Sequence, residues 1–169
     1  MTTKKLTYMA MLTTISLIIF IVELRIPNLA PVPGMKLGLA NIITVYAVYR
    51  LSAKETAMIL TARILLGSMF GGNMSALIYS MSGGLLCLLG MLILRRMIGK
   101  EHLWLCSIFG AVFHNIGQTI AAVLVMQTLT VISYLPFLLV SGCIAGAFTG
   151  ICAQLIVKRA DSSKGVFDI

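Results

Sequence analysis

Apolar residues fall in long runs along this chain, separated by short breaks that carry charge, glycine or proline. A helix that crosses a membrane needs about 20 predominantly apolar residues, or about 17–25 with tilt. The runs predict helices over residues 6–24, 36–50, 54–70, 74–97, 103–128 and 136–159. The predicted fold is therefore an all-α integral membrane protein, a bundle of six transmembrane helices. It forms one domain over residues 1–160, with a polar tail at 161–169 left loose on the cytoplasmic side.

The breaks have their own chemistry. Pro27, Pro31 and Pro33 lie between Arg25 and Met35, a density that prevents a helix and favours an ordered extended loop. Ser52 is placed to cap the third helix, with Glu55 at the position that returns the hydrogen bond. Gly71-Gly72-Asn73 predicts a tight turn.

Composition supports the membrane reading. The 169 residues are 59% hydrophobic and 11% charged, against about 45–50% and about 25% in ordinary soluble domains. A chain this short has no single soluble core large enough for that apolar surface, and six spans leave no room for an extramembrane catalytic domain. The net charge of +8 first suggests nucleic acid, but the basic residues stand at the ends of apolar runs, where they signal topology. With the N-terminus inside, Lys4, Lys5, Arg50, Lys54, Arg95, Arg96, Lys100, Lys158, Arg159 and Lys164 face the cytoplasm. Arg25 and Lys36 face outward, and Arg63 is within a span. Both termini are then cytoplasmic. Lys4-Lys5 before an apolar run resembles a signal peptide, but the run reaches Val22 without a small-residue cleavage site. It reads as a retained first helix. Cys87, Cys106, Cys143 and Cys152 lie within apolar runs without CxxC or metal-ligand spacing, and read as small buried apolar residues.

Polar residues at membrane depth each require a reason. An arginine at the centre of a span costs about 2.5–3.5 kcal/mol on insertion scales. Arg63 therefore has two readings. It forms a structural ion pair with Glu23, near the outer end of the first helix, or it faces a cavity and binds an anionic group, for which its planar fork is suited. His114, Asn115 and Gln118 form a polar stripe in the fifth helix, with His114 and Gln118 four apart on one face. They are candidates for a solute-facing wall. Asn41, Asn73 and Tyr79 lie toward the outer side, as does Lys36, which is either a ligand contact or a snorkelling interfacial residue. A pocket that opens outward beneath the proline-rich loop would use all of these residues. Gly142, Gly146 and Gly150 form a GxxxGxxxG face for close helix packing, and Ala10 and Thr14 form a shorter small-xxx-small face. There is no GxxxxGK[ST] phosphate loop and no HExxH, so neither a P-loop ATPase nor a zinc hydrolase is indicated. The only aspartates are Asp161 and Asp168, in the tail. No cofactor or metal is expected.

Several stretches carry a resemblance: Gly34-x-Lys36-Leu-Gly-Leu-Ala-Asn41, Leu66-Gly67-Ser68-x-Phe70-Gly-Gly72, Tyr79-Ser80-x-x-Gly83-Gly84 and Gly110-Ala-Val-x-His114-Asn115-x-Gly117-Gln118. They resemble the membrane family named both Gx transporter and heptaprenyl diphosphate synthase component I, over roughly residues 6–159. The six-span plan with a long first outer loop is also similar to the S components of energy-coupling-factor (ECF) vitamin transporters. That likeness implies a bacterial cytoplasmic-membrane protein that binds a small solute and docks on a membrane scaffold and ATPase subunits. The scaffold-facing AxxxA of those proteins corresponds to Ala10 and Thr14, with threonine in place of one alanine.

The chain is thus expected to be a substrate-binding transport subunit and not an enzyme. Its solute would be small, with an anionic group, such as a vitamin-like compound or a prenyl or quinone precursor. The second family name supports an alternative, a membrane accessory component of polyprenyl diphosphate synthesis. Prenyl transfer needs carboxylates that hold magnesium on the diphosphate, and no DDxxD is present, so such a component would have no catalytic residues of its own. A third alternative is a structural membrane subunit in which Arg63 pairs with Glu23.

Overall fold

A computed structural model of the chain describes residues 2–25, 38–71 and 74–162. Six α-helices run in order: α1 (Thr3–Arg25), α2 (Asn41–Arg50), α3 (Ala53–Gly71), α4 (Met74–Leu94), α5 (Leu103–Met126) and α6 (Leu135–Ser162). The described residues contain no strand. Large apolar side chains are exposed on the outside of the bundle, among them Ile18, Leu89, Ile93, Leu124, Ile144 and Leu155. A surface of this kind is stable against lipid, not water. The expected all-α membrane fold is therefore observed. Among the described residues, four stretches are long and apolar enough to cross a membrane: Thr3–Glu23, Leu77–Leu94, Lys100–Met126 and Leu129–Ser162. The other two helices differ from them. The 10 residues of α2 rise about 15 Å, half of a hydrocarbon core of about 30 Å, and α3 carries Lys54, Glu55 and Arg63.

Several boundaries move from those read in the sequence. The second helix begins at Asn41, because Gly38 has φ +72° and is followed by a turn at Leu39-Ala40. The fourth ends at Leu94, where Arg96 N–H bonds to the Ile93 carbonyl and Met97 N–H to Leu94, three residues back. The fifth ends at Met126, with Gln127 left-handed at φ 51°. The link beyond it is a 3-10 helix, Leu129–Tyr134. Pro136 occupies the first turn of α6, where its missing N–H is not needed. The predicted cap of α3 is formed: Ser52 N–H donates to Glu55 Oε2 at 3.0 Å, and Glu55 N–H to Ser52 Oγ at 3.4 Å. The proline-rich loop and the Gly72-Asn73 part of the turn lie outside the described residues.

The short helix α2 is the centre of the bundle. It contacts each of the other five helices, and Ile43 through Val48 are all buried, as expected of a helix surrounded on every side. Its ends are tied by polar contacts. Arg95 Nη1 donates to the Val48 carbonyl at 2.6 Å and the Leu51 carbonyl at 3.4 Å, which satisfies carbonyls that the helix end leaves open. Arg50 and Lys100 both pair with Asp161, at 2.6 and 3.1 Å. The Tyr8 and Tyr46 hydroxyls meet at 2.7 Å, and Lys5 pairs with Glu55 at 2.5 Å. These contacts gather the starts of α1, α3 and α5 and the ends of α2, α4 and α6 at one end of the bundle.

The most extensive helix contacts are α4 with α5 and α5 with α6, and glycines form them. A Cβ at Gly117 would lie 2.8 Å from the Ser82 carbonyl oxygen. At Gly150 it would lie 2.6 Å from Trp104 Cα, and at Gly146 3.0 Å from Ile108 Cα. Gly142, Gly146 and Gly150 thus face α5 within the same chain. Ser107 and Thr149 bridge the two helices at 3.2 Å. We expect Gly117→Ala and Gly150→Ala to destabilise the detergent-solubilised protein by about 1–3 kcal/mol each, the usual cost of overpacking. Gly99, with no heavy atom within 4 Å of the Cβ position, is the control: Gly99→Ala leaves the thermal midpoint unchanged.

Candidate functional site

The interior polar residues are set by two adjacent glycines of α4. A Cβ at Gly83 would lie 2.6 Å from Gln118 Cγ, 2.8 Å from the His114 carbonyl oxygen and 3.1 Å from His114 Cε1. A Cβ at Gly84 would lie 2.9 Å from Ile64 Cδ1. One glycine therefore admits α5 and the next admits α3, which brings the turn of Arg63 and the turn of His114 to the same level.

Arg63 is 7% exposed. Its Nη1 and Nη2 both donate to Asn41 Oδ1, at 3.4 Å each, long for hydrogen bonds of a charged group. The ion pairs of the described residues are Lys5–Glu55, Arg50–Asp161 and Lys100–Asp161. Arg63 belongs to none of them, so the direct Arg63–Glu23 pair expected as one reading is not made. Glu23 instead accepts a short hydrogen bond from Gly38 N–H. Gly38 has the positive φ that glycine tolerates best, and its carbonyl accepts from Asn41 N–H at 2.9 Å. The carboxylate and the guanidinium are thus connected through the start of α2, and the partner of Arg63 is a neutral amide. A guanidinium has five N–H donors and no acceptor.

The polar stripe of α5 divides between two neighbours. His114 and Gln118 face α4 at Gly83, and Nδ1 of His114 is buried without a hydrogen-bond partner. Asn115 faces α6: its Nδ2 donates to the Leu138 carbonyl at 2.6 Å, in the space left by Gly142. Asn115 therefore belongs to the helix contact rather than to the wall expected for it. Tyr79 is half-buried, one turn before Gly83 on α4. Lys36 and Asn73 lie outside the described residues. Ala10 and Thr14 are exposed on α1, and the Thr14 hydroxyl bonds back to the Ala10 carbonyl at 2.9 Å.

Cys87 was read from the sequence as filler. It is buried, as that reading expects. It lies four residues after Gly83, on the same face of α4. A concavity of about 270 Å³ lies elsewhere, at the corner after α5, lined by Val123, Leu124, Gln127, Thr128 and Leu129. It contains none of the interior polar residues.

These features define an α-helical membrane protein whose interior holds a cation that no carboxylate contacts directly among the described residues. The chain belongs to the heptaprenyl diphosphate synthase component I family, whose profile matches residues 12–156. No curated protein and no solved structure is significantly similar to it.

The geometry separates two kinds of polar residue by their effect on stability. Asn115→Ala loses the bond to Leu138 and lowers stability by about 1 kcal/mol. Arg63→Met removes a buried charge that no carboxylate contacts directly among the described residues, and leaves the thermal midpoint unchanged or raised. A loss of about 3 kcal/mol or more for Arg63→Met in detergent would show that the arginine is structurally paired.

Proposed function

We propose that this chain is the solute-binding membrane subunit of an uptake system, a six-span bundle with both termini in the cytoplasm. Arg63 carries the reading, because a buried guanidinium that rests on one neutral amide oxygen at 3.4 Å has the electrostatics of an anion site. Asn41 orients it, and His114, Gln118 and Tyr79 line the opposite wall. Lys36 and Asn73 belong to the mouth of the site in this proposal. The chemistry selects a small ligand with an anionic group and an apolar remainder, since apolar side chains surround the polar ones. Energy would come from separate subunits, and the likeness to ECF S components makes a membrane scaffold and ATPases the partners to seek. Ala10 and Thr14, exposed on α1, are the proposed contact with the scaffold.

The family's name favours a second reading, an accessory component of heptaprenyl diphosphate synthesis without catalytic residues of its own. A prenyl diphosphate is also an anionic ligand with an apolar tail, so both readings share a ligand class and differ in partner.

Thermal unfolding of the purified protein with vitamins, flavins, prenyl diphosphates and quinone precursors tests the binding step. One anionic class is expected to stabilise the wild type, by about 2.7 kcal/mol at a hundredfold excess over Kd, and to lose at least tenfold in affinity with Arg63→Gln. The absence of any stabilising compound, together with normal uptake in cells carrying Arg63→Gln, would sink this reading. Affinity capture of a scaffold with ATPases favours the transport version, and capture of a soluble prenyl synthase favours the accessory one.

A further inference from the structure

The end of the bundle that holds the start of α1 and the end of α6 carries more positive charge than its own carboxylates neutralise. Glu55 is taken by Lys5, and Asp161 is shared by Arg50 and Lys100. The remaining carboxylate there among the described residues is Glu101, which is exposed. Lys4, Lys54, Arg96, Lys158 and Arg159 are exposed and belong to none of these ion pairs. Each lies within three residues of Lys5, Glu55, Arg95 or Asp161, whose contacts close this end of the bundle. Orientation in the membrane does not require the excess. Basic residues set topology and acidic ones contribute little to it, so added carboxylates would neutralise the folded end without changing its direction. Unneutralised, the like charges repel one another.

The neighbours of these cations indicate what offsets them. Lys54 is four residues before the exposed Met58, Arg96 three after the exposed Ile93, and Arg159 four after the exposed Leu155. Residues at these spacings share a helix face. The cations therefore stand at the rim of the lipid-facing surface, where long side chains lie along apolar neighbours and carry their charge to the membrane interface. A soluble partner would meet the end of the bundle and not its lipid-facing sides. We propose that this rim binds phospholipids of net negative charge, whose phosphates supply the anions that the chain lacks there. The inference stands apart from the anion-site reading of Arg63.

Quenching of Trp104 fluorescence by brominated lipids tests it. Trp104 is the single tryptophan and is partly exposed at the start of α5, which packs against both α4 and α6. The protein is reconstituted in vesicles of phosphatidylglycerol and phosphatidylcholine, with one lipid or the other brominated on its acyl chains. Brominated phosphatidylglycerol is expected to quench more at equal mole fraction, with a preference of about fivefold for each cation engaged. Arg96→Gln combined with Arg159→Gln brings the preference toward one, as does about 1 M salt, where screening acts within about 3 Å. Arg25→Gln, at the other end of α1, leaves it unchanged. The salt comparison in the wild type stands by itself if the double variant does not fold. Equal quenching by the two lipids in the wild type overturns the proposal, and so does a preference that survives high salt. If the lipids quench equally and polyglutamate binds the detergent-solubilised wild type but not the double variant, the surface serves an acidic protein instead.

Discussion

Backbone contact between α4, α5 and α6 is the constraint on which the rest of the bundle depends. Lipid provides no hydrophobic drive to bring helices together, so association relies on close van der Waals packing and hydrogen bonds. Here the approach is close enough that Gly117 and Gly150 each have another helix's backbone atoms where a Cβ would be. With α4 on one side and α6 on the other, α5 presents its interior polar groups in only two directions. Ala111 and Asn115, four apart, take the α6 side against Gly146 and Gly142, and His114 and Gln118, four apart, take the α4 side against Gly83. The glycines thus decide which polar residue is consumed by packing and which is left with an open valence.

The first three helices follow a different rule. They meet through apolar contact and through polar links that run by way of α2. Ser16 of α1 donates to the Ala40 carbonyl at 3.3 Å, Glu23 takes Gly38 N–H, and Arg63 takes the Asn41 amide. Each link satisfies a group at the start of α2, where a helix leaves its first N–H groups and the preceding turn without internal partners. The Glu23 carboxylate is held by Gly38 in this way and makes no direct contact with Arg63, so the guanidinium keeps a desolvation cost that no hydrogen-bonded anion offsets. At the opposite end of α2, Arg95, Arg50, Lys100 and Asp161 close the bundle with charges that lie near the surface.

Much of this was legible in the sequence, and the losses have physical causes. Helix number and order follow from the lengths of the apolar runs, and the Ser52–Glu55 cap follows from the three-residue spacing of a side chain that reaches back to a backbone N–H. The early start assigned to the second helix failed at Gly38, which takes a positive φ and donates its N–H to Glu23, fifteen residues away in the chain. The reading of Arg63 against Glu23 meets no direct contact among the described residues, because the carboxylate is taken by a backbone N–H, and every residue except proline has one. Asn115 was grouped with His114 and Gln118 by proximity along the chain. Its actual direction depends on Gly142 in another helix, a tertiary fact that spacing within α5 does not contain.

The origin of the interior polar residues gives the site its mechanical character. Arg63 and Asn41 come from the helices joined by polar links, and His114, Gln118 and Tyr79 come from α4 and α5, which pack on glycine. The proposed site therefore lies on the seam between two parts of the bundle built by different interactions. Across that seam α3 meets α4 at Gly84, with Ile64 and Leu60 as its contacts, and these side chains adjust more readily than the backbone-to-backbone contacts of α5. On the proposed reading, a bound anion adds charge-assisted bonds across the seam at the level of Gly84, where α3 meets α4 through apolar side chains. Such bonds stabilise one relative placement of the two parts over others by as much as the ligand's affinities for them differ. A subunit that must register its ligand for a partner elsewhere in the membrane needs that property, and neither a site confined to α4–α6 nor one confined to α1–α3 would provide it.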